Sequence, residues 1–177
     1  MSFQNAFLGS LVADAISMPV HWYYNRKSLD QDYGDFQGYC KPKAFHPDSI
    51  LWRSSYIPHG PKADILGTQT KYWGQRGIHY HQFLEAGDNT LNLQLAAELY
   101  RETIINGDFD PETWLNRYAQ VMLTPGWHQD TYAEEYHRAF FTNYSKGKSL
   151  YSCGISDYHI GGLRLVPALL AGMEAVV

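Results

Sequence analysis

The chain has 177 residues, 45% of them hydrophobic, and 14 Lys+Arg against 18 Asp+Glu give a formal net charge of −4. That length can bury a core, and 5 Trp, 14 Tyr and 8 Phe exclude a disordered tail. An acidic balance without a basic stripe argues against nucleic acid as a partner, and no run approaches the ~20 apolar residues of a membrane span.

Taken in chain order, Phe3, Phe7, Leu11 and Ala15 recur every four residues and predict a helix from Phe3 to Ile16, stopped by Pro19. From about Val20 to Gly87 the texture changes to Gly, Pro, Tyr, Trp and His with little helical period, which predicts a long irregular insertion. Its aromatic side chains have two uses open to them: packing the segment onto a helical core, or lining a pocket. Leu91, Leu95 and Leu99 mark the next helix, which Gly107 ends. Asp110-Pro111-Glu112 reads as a helix start, with Asp as cap, Pro at the first position and Glu at the positive end. A further helix is expected from about Asp130 to Tyr144, closed by Lys146-Gly147-Lys148. The last apolar segment runs from Gly161-Gly162 to Val177. The expected fold is all-α, a single domain over residues 1–177 with the insertion at about 20–87.

The final helix ends on apolar residues without a stop signal, so Met173, Ala175, Val176 and Val177 need a cover. A homo-oligomer interface, a missing second half of the fold, or the end of a fragment would each account for it. Cys40 and Cys153 are the only cysteines, which excludes a disulfide framework and a cysteine-based zinc module. The start Met1-Ser2-Phe3-Gln4 lacks the basic and apolar regions of a secretory signal, so the expected location is the cytoplasm.

Four clusters carry chemistry. Gly87-Asp88-Asn89-Thr90 lies at a helix start, where its oxygen side chains either cap the helix or help to hold a hard cation. His79-Tyr80-His81 with Glu85 has an imidazole–carboxylate spacing suited to a transition metal, or else to packing among aromatics. Gly9, Ala13 and Ser17 make a narrow face on the first helix where another helix can approach closely, with Asp14 beside it, either facing partners in a polar cavity or a surface acid on an amphipathic helix. Asp157-Tyr158-His159-Ile160-Gly161-Gly162-Leu163-Arg164 places paired glycines at a helix mouth, open to an anion such as a diphosphate, or an ordinary turn.

Taken together, the string from Gly9 through Asp14-Ala15, Pro19 and His21, the Asp88-Asn89-Thr90 start and Ile160-Gly161-Gly162-Leu163-Arg164-Leu165-Val166-Pro167 resemble, in order, the motifs of the ADP-ribosylglycohydrolase superfamily. His21-Trp22-Tyr23-Tyr24 looks closer to its crystallin J-like branch. The resemblance implies the N-terminal part of an all-α fold. It also implies two magnesium ions over which ADP-ribose is held, and hydrolysis of a glycosidic bond in an ADP-ribosylated substrate. By the same resemblance Asp88 and Asn89 are the metal candidates, while Asp14, His21, Asp157, Gly161 and Gly162 are substrate-binding candidates.

The chain departs from the family pattern at Asn89 and Gly87 in the first metal motif and at His21 where the family carries an acid. The family's second motif, Asp-x-Asp-Thr, is absent from these residues. Those departures keep open a catalytically inactive nucleotide-binding or structural homologue. A metal-dependent enzyme using His79, His81 and Glu85 is a third reading.

Overall fold

The computed structural model describes residues 2–177, and among them there is no β-strand, only an isolated bridge between Phe45 and Ile78. Six α-helices follow in order: α1 (Phe3–Ser17), α2 (Arg26–Tyr33), α3 (Leu91–Asn106), α4 (Pro111–Met122), α5 (Glu135–Ser145) and α6 (Leu165–Ala175). None is long and apolar enough to cross a membrane. The mostly helical architecture agrees with the all-α expectation.

Local rules explain several ends. Ser2 caps α1 through Asn5 N–H at 3.2 Å, and Pro19 turns the helix into a 3-10 turn rather than stopping it at once. Asp110 caps α4 through Thr113 N–H at 2.7 Å with Pro111 in the first turn, and Gly107 closes α3 in the left-handed region at φ +72°.

Three expectations are corrected. The insertion contains the two-turn α2, capped by Asn25, and 3-10 turns at Leu51–Arg53, Pro61–Ala63 and Gly67–Tyr72. Helix α5 starts at Glu135, not near Asp130. Residues 130–134 stay outside the helix because tertiary bonds hold them: Thr131 N–H donates to Tyr80 O at 2.9 Å, and the Asp130 carboxylate is tied to α3. The narrow face of α1 receives no neighbour at Gly9, since nothing lies within 4 Å of a Cβ built there. Close helix approach occurs instead at Gly172 of α6, where a Cβ would meet Thr103 of α3 at 2.8 Å.

One apolar core gathers Leu91, Leu95, Tyr118, Val121, Met122, Phe140 and Phe141 from α3, α4 and α5, and the irregular segment adds Leu51, Ile65, Leu66, Trp73 and Tyr80. A second cluster joins Phe7, Leu93, Ala96, Ala168 and Ala171 between α1, α3 and α6. The aromatics of the insertion therefore serve the core as well as a pocket wall. Glu98 of α3 is buried, and Arg101 and Arg117 neutralise it, which fastens α3 to α4. On α6, Val166 and Met173 remain exposed, as do Leu8 and Val12 on α1.

Histidines organise the insertion. His79 Nε2–H donates to Pro19 O at 2.9 Å, and His46 Nε2–H donates to His21 O at 2.8 Å. Their Nδ1 atoms accept from His81 N–H at 3.0 Å and Asp48 N–H at 3.1 Å. Both imidazoles are fully buried, and together they clamp the turn that follows α1.

Candidate functional site

That clamped turn delivers His21 and Trp22 to a polar pocket of about 160 Å³. The N-terminus of α3 adds Thr90, Leu91 and Asn92, the segment before α5 adds Asp130, Tyr132 and Glu134, and His81 and Arg164 complete the lining. Asp130, Tyr132 and Glu134 come from the irregular stretch that bends at Thr131, and all three reach the same pocket.

The pocket is built around the mouth of α3. Thr90 precedes the helix but does not cap it through its own side chain. Its N–H donates to Asp14 Oδ2 at 2.8 Å and its hydroxyl to Asp14 Oδ1 at 2.9 Å. The next N–H, of Leu91, donates to Asp130 Oδ2 at 2.5 Å. Two distant carboxylates thus satisfy the free N–H groups and face the positive end of the helix dipole.

Asp130 is buried, and its other oxygen accepts the His81 Nδ1 proton at 2.5 Å. His81 Nε2 then meets His21 Nδ1 at 3.0 Å, and His21 Nε2 lies 3.2 Å from Ser17 Oγ. Burial, reinforced by His81, pushes His21 down to about 4, so its imidazole is neutral at physiological pH. Trp22 forms the wall over this pair, its indole stacked on His81 at 5.8 Å between centroids and edge-on to Tyr80 at 4.3 Å. Its φ of +60° is unusual for a bulky residue and marks local backbone strain beside the pocket.

Under the floor runs a second network. Asn92 Nδ2 donates to Glu134 Oε1 at 2.5 Å, while its oxygen accepts from Tyr136 Oη at 2.7 Å and His137 Nε2 at 3.1 Å. Tyr118 Oη donates to His137 Nδ1 at 2.6 Å. Full burial pushes His137 down to about 3. This network separates the polar pocket from an aromatic cavity of about 240 Å³, lined by Trp114, Tyr118, Tyr136 and Phe140. Asn92 and Arg164 belong to both cavities. Arg164 is partly exposed, with its guanidinium 3.8 Å from Glu134.

The candidates read from sequence are distributed unevenly. His21 lines the polar pocket, and Gly161 and Gly162 line the aromatic cavity. The Gly161 N–H donates to His159 Nδ1 at 3.1 Å, so it is not free for an anion. The glycine is required for another reason, because a Cβ there would meet the Tyr136 hydroxyl at 2.6 Å. Asp157 lies outside both cavities and closes the turn before the 3-10 segment by accepting His159 N–H at 3.1 Å. Asp14 faces the α3 mouth, where three donors occupy its carboxylate. Asp88 is exposed and accepts Glu85 N–H at 2.8 Å, on an open hollow toward Trp127 and His128 rather than in the polar pocket. Asn89 donates from its amide to Leu11 O at 2.7 Å and to Asp14 at 3.1 Å.

These bonds bear on the two magnesium ions the resemblance implies. Asp88 is engaged at a surface turn, Asn89 and Thr90 donate inward, and no group of three or more His, Cys, Asp or Glu among the described residues is arranged to hold a metal. The residues present do not fit a two-magnesium cradle. His79 uses both ring nitrogens on backbone partners and Glu85 pairs with Lys41, so the imidazole–carboxylate spacing near residue 80 is not gathered into one cluster either.

Sequence reasoning missed Asp130, Glu134, Asn92 and Tyr132 as site residues. Asp130 and Glu134 stand four apart, which reads as one helix face. Only the tertiary bonds that keep the stretch out of the helix put Tyr132 beside them.

No family model matches the chain, and no curated protein or solved structure matches it either.

Proposed function

We propose that the chain is an ADP-ribosylglycohydrolase-like protein that holds ADP-ribose across its two adjoining cavities and hydrolyses a glycosidic bond at the ribose end. The observation that carries this reading is convergence. Three motifs far apart in sequence contribute His21, Thr90 and Arg164 to one polar pocket. Nothing in their separate spacings requires that. The aromatic cavity beyond Asn92 and Arg164 suits a planar base, which stacks well on aromatic faces. The Arg164 guanidinium, standing between the cavities, suits a diphosphate. The polar pocket, with carboxylates at Asp130 and Glu134, suits ribose hydroxyls and the bond to be broken.

The test is release of free ADP-ribose from an ADP-ribosylated protein, alongside calorimetry with ADP-ribose itself. Binding with turnover is the expected result, and absence of both defeats the reading. A non-catalytic homologue is the second reading, favoured by the inward bonding of Asn89 and Thr90 in the first metal motif. Binding without turnover would select it.

A further inference from the structure

Resting on the hydrolytic reading above, we propose that His21 is the general base of the polar pocket, positioned and polarised by a buried His81–Asp130 pair, and that the reaction needs no metal. Hydrolysis requires something to take a proton from the attacking water. The first metal motif does not serve, for Asp88 lines a different hollow and Asn89 carries no charge.

The geometry supplies an alternative. Asp130 Oδ1 accepts from His81 Nδ1 at 2.5 Å, which turns the other ring nitrogen, Nε2, toward His21. In the proposed relay His21 Nδ1 donates the proton shared over the 3.0 Å between the imidazoles. That assignment leaves the lone pair on His21 Nε2, next to Ser17 Oγ at 3.2 Å. His21, His81 and Asp130 all line the cavity with Glu134 and Arg164, but His81 and Asp130 are almost wholly buried and His21 is the half-buried member of the three. The arrangement is directional: an anchored carboxylate orients one imidazole, which orients the next, whose Nε2 has only the Ser17 hydroxyl beside it, a hydroxyl that also reaches Asp14 O at 3.3 Å. His46 and His79 are excluded from the role because both of their nitrogens are bonded to the backbone.

In the step, a water oxygen forms a bond to the anomeric carbon and gives one proton to His21 Nε2. The glycosidic bond breaks with its electron pair going to the leaving group, which takes a proton from solvent. The imidazolium is relieved by Asp130 through His81, then returns its proton to solvent. Charged and titratable groups facing His21 are His81, Asp130, Arg164 and Glu134, with His46 on its carbonyl. Asp130 raises the proton affinity of His21, whereas burial, His81 and Arg164 lower it.

The experiment follows ADP-ribose release by the full chain in EDTA across pH, with calorimetry of ADP-ribose in parallel. Turnover is expected to persist in EDTA and to fall on acidification through an inflection near 4. His21→Gln is expected to lower kcat about 100-fold with ADP-ribose affinity retained. Asp130→Asn keeps an acceptor for Leu91 and should move the acid limb to lower pH, a shift that a merely structural role would not produce. Full turnover in the His21 variant, turnover that depends wholly on added magnesium, or binding without turnover each overturns the proposal. If ADP-ribose does not bind at all, the ligand reading fails, and nitrogen-15 imidazole spectra judge the relay separately. They are expected to show His21 protonated at Nδ1 and perturbed by Asp130→Asn. A His21 signal indifferent to that substitution overturns the relay.

Discussion

Asp14 receives three hydrogen bonds from Asn89 and Thr90, residues more than seventy positions away, and so completes a helix it does not belong to. Asp14→Ala removes both acceptor oxygens, and with them three hydrogen bonds, and leaves the Thr90 amide without a partner. A loss of about 1–3 kcal/mol is expected, read as a lower urea midpoint with unchanged slope. Asp157→Asn, at an exposed turn, should stay within about 0.5 kcal/mol of the parent in the same measurement. The contrast shows what is legible at this scale. Asp110 is readable as a cap because its partner, Thr113, is three residues on. Asp14 and Asp130 are not, since capping rules see only local sequence and both act across the fold. His21 is readable as a pocket residue through a motif, but its partners Asp130 and His81 are not.

Helices α3 and α6 approach closely where Gly172 faces Thr103, and the 2.8 Å approach of a Cβ there is tighter than packing allows. Gly172→Ala gains about 0.5–1 kcal/mol of helix propensity, yet forcing the helices apart costs about 1–3 kcal/mol. Net destabilisation is expected, measured as a lower Tm. Gly161→Ala is expected to be harmful too, by displacing Tyr136 from Asn92, whereas Gly162→Ala meets nothing within 4 Å and should leave Tm unchanged. The apolar period of α1, α3 and α4 makes the existence of those helices legible. The start of α5 is not, because periodicity cannot register a buried carboxylate that holds residues 130–134 outside the helix. Neither α2 nor the 3-10 turns have a period long enough to stand out.

Across the molecule, buried neutral histidines tie the irregular segment and the pocket floor together. His79 and His137 are pushed down to about 3 and His21 to about 4, chiefly by burial, and His46 and His128 are lowered in the same direction. The unfolded chain binds these protons as pH drops below about 6.5, while the folded chain refuses them until it reaches those lower values, so stability falls with acidification across that window. The expected slope is about 1.4 kcal/mol per pH unit for each fully neutral histidine. Urea midpoints between pH 7.5 and about 4.5 test this, and a flat profile would contradict it. His79→Gln should lower stability at neutral pH and make the slope shallower. A long segment poor in helical period is thus held by side chains that donate to backbone carbonyls, a device that composition hints at and pattern does not reveal.

The wall over His81 has a practical consequence. Trp22 touches the polar pocket directly and sits against His81, Tyr80 and Tyr132. Its indole is therefore a built-in optical gauge of occupancy, whose emission should change colour and intensity as solvent leaves the pocket. Trp22→Phe should silence that change while the other four tryptophans keep glowing.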